Sequence, residues 1–371
     1  MRMENGNSKH ERFMTACLRL AEKGRGSVSP NPLVGAVLVK GGRIVAQGYH
    51  RRFGGAHAEV ECLRRYKGSM HSAALYVNLE PCAHEGKTPP CADLIIESGI
   101  RTVVVGMKDP NPLVNGRGIR KLRHAGIKVT SGILEDKARD LNRAFIIYVT
   151  KHRPFIHVKI AQTLDGKISS RPHSFTQITG KESQLLVHKM RSEHDAILVG
   201  AGTVRVDDPL LTVRLAKGKD PAVIVLDGRL SLGPDFRLWK TAKRRRVIVL
   251  TNARMAGLRS QKVREFGSLG VEILPISSRD NAIPLKEILK QLFERGIASV
   301  LVEAGTDTVS QFLSSGLVDV LSVVLAPRMY GSGVPAFMDR EGGRSERFPT
   351  VDGGPVVRVM GRDVLLQYSF R

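Results

Sequence analysis

The chain has 371 residues, 42% hydrophobic, 5% aromatic and 25% charged, with four cysteines and a formal net charge of +23. That length predicts two domains rather than one, and no apolar stretch approaches a membrane span, so no membrane partner is expected. Residues 1–150 carry 24 Lys and Arg against 13 Asp and Glu, and the remainder 34 against 22; so even a spread, with so few aromatics, speaks against a nucleic-acid groove with stacking platforms and suits phosphorylated small molecules.

In chain order, the first residues lack the apolar run of a secretory signal, and Glu4 and Glu11 argue against a transit peptide. Few cysteines and no leader place the protein in the cytoplasm. LVGAVLVK (33–40) and RIVAQGYH (43–50) flank Gly41-Gly42, a hairpin signal. A helix is predicted from His57 to about Arg65, a strand over ALYVNLE, and a helix from Cys91 to Ser98 closed by Gly99. RTVVVGM (101–107) reads as a buried strand, followed by a helix near 116–125 and the strand IKVTSG. An opening hairpin followed by β-α repeats predicts a mixed sheet between helical layers.

Residues 131–153 read as a connector, a helical stretch running into Lys151-His152-Arg153-Pro154. The pattern then restarts with a strand at 155–162, a helix at 180–192 and a strand at 195–202. AVIVLDG, RRVIVLT, ASVLVEAG and LVDVLSVVLAP are further apolar strands. The boundaries are thus 1–150 and 151–371, two α/β domains in series.

Chemistry concentrates in HAEVECL (57–63) and LEPCAHEGKTPPCADLI (79–95). His57, Cys82 and Cys91 offer one imidazole and two thiolates, three of the four ligands of a tetrahedral zinc, and an open fourth position marks a reaction site. Glu59 is poorly suited to complete the shell but well placed to move protons to and from an activated water. H-x-E followed by P-C and a second Cys is the order of zinc-dependent nucleobase deaminases. Each fragment alone is common; the combination, at predicted element ends, is not. Helix N-termini there favour thiolates, and let His57 and Glu59 address one centre, whereas mid-helix they would diverge by about 200°. Cys17 and Cys62 read as small buried apolar residues. Eight residues, not two, separate Cys82 from Cys91.

Together with SPNPLVGAV (29–37), GYHRRFGGAHAEV (48–60) and DPNPLVNGRG (109–118), these stretches resemble the bifunctional riboflavin biosynthesis deaminase/reductase family. The resemblance covers nearly the whole chain and accounts for the long gap, because that family places its second cysteine after T-P-P. It implies an N-terminal cytidine-deaminase-like three-layer α/β/α domain and a C-terminal dihydrofolate-reductase-like α/β domain. It also implies the reaction, zinc-dependent deamination of 2,5-diamino-6-ribosylamino-4(3H)-pyrimidinone 5′-phosphate followed by NADPH reduction of the ribosyl group to ribityl. By motif position Asn31, His50, Lys87, Asp109 and Asn111 are implied contacts of the deaminase substrate, with Lys87 the natural phosphate partner. QTLDGKI (162–168), RSEHDAILVGAGTVRVDDPLLTVR (191–214) and LVEAGTDTVSQFL (301–313) carry the resemblance in the second half. They imply Arg191, Leu211, Arg214 and Glu303 at the substrate. Ala161, Thr203, Asp207, Gly228, Gly305, Thr306, Asp307, Thr308, Val309, Ser310 and Gln311 are implied at the cofactor. An apolar strand, then Gly305, then Thr306 as helix cap would make an anion site for a pyrophosphate. The chain departs from the family's Ser-x-Trp-Ile-Thr element, reading Phe175-Thr176-Gln177-Ile178-Thr179; Thr176 can offer a hydroxyl one position over, but the indole is missing.

The partner expected is thus a small phosphorylated pyrimidine, with no nucleic acid, and the chain is expected to form a homo-oligomer. The competing reading is a nucleic-acid base deaminase with an RNA-binding second domain, which the T-P-P-C loop disfavours. A structural zinc domain joined to a binding module would leave Glu59 without a purpose.

Overall fold

A computed structural model describes residues 6–83, 89–112, 114–174, 176–277, 283–338, 351 and 353–370. The chain divides into two compact units, Met1–Arg153 and Pro154–Arg371.

The first unit is built on a five-stranded sheet in the order β2-β1-β3-β4-β5. Its strands are β1 (Gly35–Lys40), β2 (Arg43–Tyr49), β3 (Ala74–Leu79), β4 (Thr102–Met107) and β5 (Lys128–Ser131). β1 pairs antiparallel with β2 and β3, whereas β3, β4 and β5 run parallel. Gly41 and Gly42 turn the β1–β2 hairpin with φ of +55° and +74°, a conformation glycine adopts without a Cβ penalty. Alternation along the strands sorts the core into two layers. Ala36, Leu38, Leu75, Val77, Val103 and Val105 face the helices α2 (Ala58–Leu63), α3 (Cys91–Glu97) and α4 (Arg117–His124). Val37, Val39, Tyr76 and Val104 face α1 (Gly6–Glu22) through Phe13, Met14, Cys17 and Leu20. The opening helix α1 is absent from the elements expected of the sequence, and the connector is two helices, α5 (Glu135–Leu141) and α6 (Arg143–Lys151).

The second unit carries a nine-stranded sheet in the order β11-β10-β9-β8-β12-β6-β13-β16-β15. The strands are β6 (Phe155–Thr163), β8 (Ala196–Gly200), β9 (Ala222–Leu226), β10 (Val247–Asn252), β11 (Glu272–Ile276), β12 (Ser299–Val302), β13 (Val320–Ala326), β15 (Val356–Met360) and β16 (Asp363–Ser369). All are parallel except β16 and β15, which pair antiparallel at one edge. A small second sheet joins β7 (Lys167–Ser169) to β14 (Val334–Pro335). One face of the large sheet buries α11 (Leu285–Glu294) and α12 (Thr306–Ser314); the other buries Trp239, Phe266 and Val204 of α8 (Ala201–Asp207). α7 (Lys181–Glu193) precedes β8.

The expected strand 195–202 ends at Gly200, and its last residues open α8, so Thr203 and Asp207 lie on a helix. After β8 the chain winds outward through β9, β10 and β11, then returns to place β12 on β8's other side. Such a reversal leaves a crevice at the carboxyl ends of the two strands, the common ligand position in open α/β sheets.

Candidate active sites

In the first unit, His57 is the residue that caps α2, with extended backbone (φ −70°, ψ 163°), and Cys91 is the first residue of α3. Cys82 follows β3, and its sulfur accepts a hydrogen bond from the backbone N–H of Cys91 at 3.3 Å. His57 Nδ1 lies 3.2 Å from Cys91 Sγ and 3.7 Å from Cys82 Sγ. The three donor atoms lie within 4.8 Å of one another. Ligand bonds of about 2.0–2.3 Å in a tetrahedron require donors roughly 3.5–3.8 Å apart, so the trio fits a zinc ion in both donor type and spacing. The side-chain hydrogen bond from the Cys91 thiol outweighs burial and, with the His57 and Cys91 backbone bonds, holds the Cys82 thiol well below its ordinary value. The same bond and burial push Cys91 up.

Glu59, on the first turn of α2, is 3% exposed, and burial pushes its carboxyl up to about 7, near the value a general acid–base group needs at neutral pH. His50 is 2% exposed. Its Nδ1–H donates to the Ala56 carbonyl at 2.9 Å, its Nε2 accepts from the Asn31 amide at 3.1 Å, and its ring meets that of His57 edge-on. Both nitrogens of His50 are thus engaged within the protein, and it orients Asn31 and backs His57. Burial pushes Asp109 up to about 6; its Oδ1 accepts from the Asn111 backbone at 2.8 Å. Lys87 lies outside the described residues.

Glu80 went unnoticed at the level of sequence. It is buried, and its carboxylate accepts from the backbone N–H groups of Asp109 (3.1 Å), Gly116 (2.9 Å) and Ile119 (3.0 Å). One side chain therefore ties the loop bearing Asp109 and Asn111 to the loop bearing Cys82. The available signal was an acid ending an apolar strand immediately before Pro-Cys.

In the second unit, a cleft of about 860 Å³ opens at the reversal between β8 and β12. Thr203, Gly228, Gly305, Thr306, Asp307, Thr308 and Gln311 line it, as anticipated, together with Arg205 and Arg229. Gly200 and α12 nearly touch, since a Cβ on Gly200 would meet Thr308 Oγ1 at 2.7 Å. The cleft's size, its two close-packed glycine-led helix starts and its two arginines suit a dinucleotide phosphate.

Four anticipated cofactor residues lie off this lining. Val309 is buried in the core, Ser310 Oγ accepts from the Met338 backbone, Ala161 is paired with Val324 within the sheet, and Asp207 is half-buried at the end of α8. Thr306 is not the cap of α12. Gly305 holds that position, and the Thr306 hydroxyl donates instead to the Pro335 carbonyl. The cause is tertiary: the β7–β14 sheet brings an acceptor within reach of that side chain.

Arg191 and Glu303 form a two-pronged ion pair, Nε–Oε1 2.7 Å and Nη2–Oε2 2.9 Å, with side chains only 13% and 11% exposed. Burial would raise the Glu303 carboxyl, but Arg191 overrides it and the net shift is downward. Lys159 on β6 feels both, and burial pushes its ammonium down. A lysine inside the apolar run FIHVKIAQ was the overlooked signal. Arg214 is exposed, its backbone N–H donating to His188 Nδ1 at 2.9 Å and its Nη1 to Thr212 Oγ1 at 2.8 Å. Leu211 is 4% exposed with its side chain in the core, which leaves only its backbone for a ligand. Phe175 lies outside the described residues. Thr176 Oγ1 lies 3.2 Å from Ser169 Oγ, so that hydroxyl is engaged with its neighbour.

Comparison with known proteins covers both units. Residues 154–352 match the family described as "RibD C-terminal domain", and residues 7–107 match "Cytidine and deoxycytidylate deaminase zinc-binding region". Riboflavin biosynthesis protein RibD of Aquifex aeolicus is 43% identical over 323 residues, 87% of this chain and 88% of its own. RibD of Actinobacillus pleuropneumoniae is 40% identical over 319 residues, 86% of this chain and 84% of its own. Among solved structures, a diaminohydroxyphosphoribosylaminopyrimidine deaminase/5-amino-6-(5-phosphoribosylamino)uracil reductase from Thermotoga maritima is similar with a TM-score of 0.87 at 40% identity. It covers 98% of this chain and 99% of its own. Acinetobacter baumannii RibD gives a TM-score of 0.86 at 32% identity over the same shares.

Proposed function

Because the chain belongs to the RibD family, a bifunctional zinc-dependent deaminase and NADPH-dependent reductase of riboflavin biosynthesis, we propose which of its residues perform each step and on what substrate. The substrate is a small phosphorylated diaminopyrimidinone nucleotide, the class named for the Thermotoga relative. The observation that carries the reading is the convergence of His57, Cys82 and Cys91 beside the buried carboxyl of Glu59. Four cysteines free of disulfides suit the cytoplasm, and the proposal includes a homo-oligomer with no nucleic-acid or membrane partner.

His57, Cys82 and Cys91 hold zinc, which when bound supplies a water acidified from 15.7 to about 7. Glu59 takes a proton from the attacking water and places it on the ring nitrogen; it then takes the proton of the newly added hydroxyl and passes it to the amine, which leaves as ammonia while the carbonyl forms. Asn31, held by His50, and Asp109 and Asn111, held by Glu80, orient the pyrimidine. Lys87 is assigned to its phosphate.

In the second unit NADPH supplies a hydride. Gly305 and the start of α12 face the pyrophosphate, with Thr203, Gly228, Thr308 and Gln311 along the cofactor. Arg205 and Arg229 meet its remaining phosphate charge. Arg191 and Arg214 hold the substrate, and the desolvated Lys159 ammonium, beside Glu303, is the proton donor to the sugar oxygen as the ring opens.

Incubation of the purified protein with the diaminopyrimidinone nucleotide tests both halves. Ammonia is released without NADPH, and nicotinamide absorbance falls only once deaminated product is present. Glu59→Gln lowers deaminase kcat about 10²–10⁴-fold while bound zinc and the reductase rate stay unchanged. Full ammonia release from that variant would sink the assignment.

A further inference from the structure

The basic run Lys243–Arg246 is used by neither site, and the structure splits it. Arg246 pairs with Glu272 at 2.9 Å. Lys243 and Arg244 are exposed. Arg245 turns inward and is half-buried. Its Nη1 donates to the Leu211 carbonyl at 2.7 Å and the Pro221 carbonyl at 3.3 Å, and its Nη2 to the Leu210 carbonyl. Its Nε donates to Thr241 Oγ1 at 3.1 Å. This half-buried guanidinium spends its donors on backbone carbonyls and forms no direct ion pair among the described residues, with the Asp220 carboxylate only partly offsetting its desolvation. What it does gain is control of a loop.

That loop, residues 208–214, has no regular structure to satisfy its carbonyls. Asp208 (φ +39°) and Leu211 (φ +52°) sit in the left-handed region, at a cost of about 1–3 kcal/mol each, which persists only where surrounding contacts over-determine the backbone. Arg237 grips Asp208 through its side chain and its carbonyl. Arg245 grips the next bend through the consecutive carbonyls of Leu210 and Leu211. On from that bend the loop meets the buried pair: Arg191 Nη1 donates to the Thr212 carbonyl at 3.4 Å, and Arg214 N–H donates to His188.

We infer that Arg245 is a positioning residue of the reductase, whose guanidinium clamps the Leu210 and Leu211 carbonyls and so sets where Arg214 meets the pyrimidine nucleotide. This rests on the assignment of Arg191 and Arg214 to substrate binding. Lysine replaces it only in part, because one ammonium lacks the planar fork that spans two carbonyls.

The test uses the full-length protein, deaminated pyrimidine nucleotide and NADPH. Arg245→Ala raises KM for the nucleotide about tenfold, and Arg245→Lys raises it by less, from loss of charge-assisted hydrogen bonds. In both, kcat stays within about threefold and the NADPH Kd, read by fluorescence titration, is unchanged, since the clamp acts on substrate binding alone. Unmoved KM in both variants overturns the inference, as does a joint loss of KM, kcat and NADPH affinity in both. Arg214→Ala separates the two levels. If Arg214→Ala raises KM and the Arg245 variants do not, the inference alone falls; if Arg214→Ala leaves KM unchanged, the substrate assignment falls and takes the inference with it.

Discussion

Glu59 shows how a residue's setting makes its chemistry. Its carboxyl is identical to that of any exposed glutamate, but at 3% exposure burial lifts it from an ordinary 4.5 to about 7. The shift is also a statement about stability. Between those values the folded metal-free protein holds a proton that the unfolded chain has lost. The stabilisation is therefore complete below pH 4.5 and is lost as pH rises through about 7. It amounts to on the order of 3 kcal/mol. The Cys82 thiol, held below its ordinary value, contributes with the opposite sign over the same window in the zinc-stripped protein, so the Glu59 contribution is read as a difference between two proteins. Thermal unfolding should show zinc-stripped wild type losing stability relative to zinc-stripped Glu59→Gln as pH rises. Parallel curves for the two proteins would count against a raised carboxyl. Asp109, pushed up to about 6, adds a smaller contribution of the same sign.

At the scale of elements, the loop bearing Asp109 and Asn111 is held by its approach to the loop bearing Cys82. Glu80 accepts three backbone N–H groups from it, and a Cβ on Gly118 would meet the Pro81 carbonyl at 1.9 Å. That contact leaves room for hydrogen alone. Gly118→Ala must therefore push the start of α4 away from Pro81, costing about 1–3 kcal/mol. Deaminase KM should rise while reductase kinetics on deaminated nucleotide stay as they were; a wild-type deaminase KM would show the contact to be dispensable. The second unit uses the same device, since Gly200 admits Thr308 and so brings α12 against the end of β8. Elements with strong periodicity or clear caps were legible in the sequence: the Gly-Gly hairpin, the helix starting at Cys91 and the β-branched strands all form. α1 was not, because its stability comes from packing Phe13 and Met14 against the sheet more than from local signals; the helical stretch expected in the connector forms, as the two helices α5 and α6.

On the scale of the whole molecule, two chemistries share one chain but not one centre. Each unit has its own sheet and its own core, and one proposed site falls in each. Removal of zinc by a chelator should abolish ammonia release and leave the reduction of supplied deaminated nucleotide intact. Loss of both activities would mean that the metal also supports the second unit. The sequence by itself determined the donor types, their order along the chain and their positions at element ends. These are local properties, set by residue identity and by where helices can start, and the T-P-P-C spacing carried the family as well. Only the tertiary structure revealed Glu80, Lys159 and Arg245, exchanged Thr306 for Gly305 at the cap of α12, and took the side chain of Leu211 into the core. Those outcomes depend on partners distant in sequence, from Glu80 and Ile119 to Arg245 and Leu210. Hydrogen bonds and desolvation act across space, and no spacing along the chain encodes them.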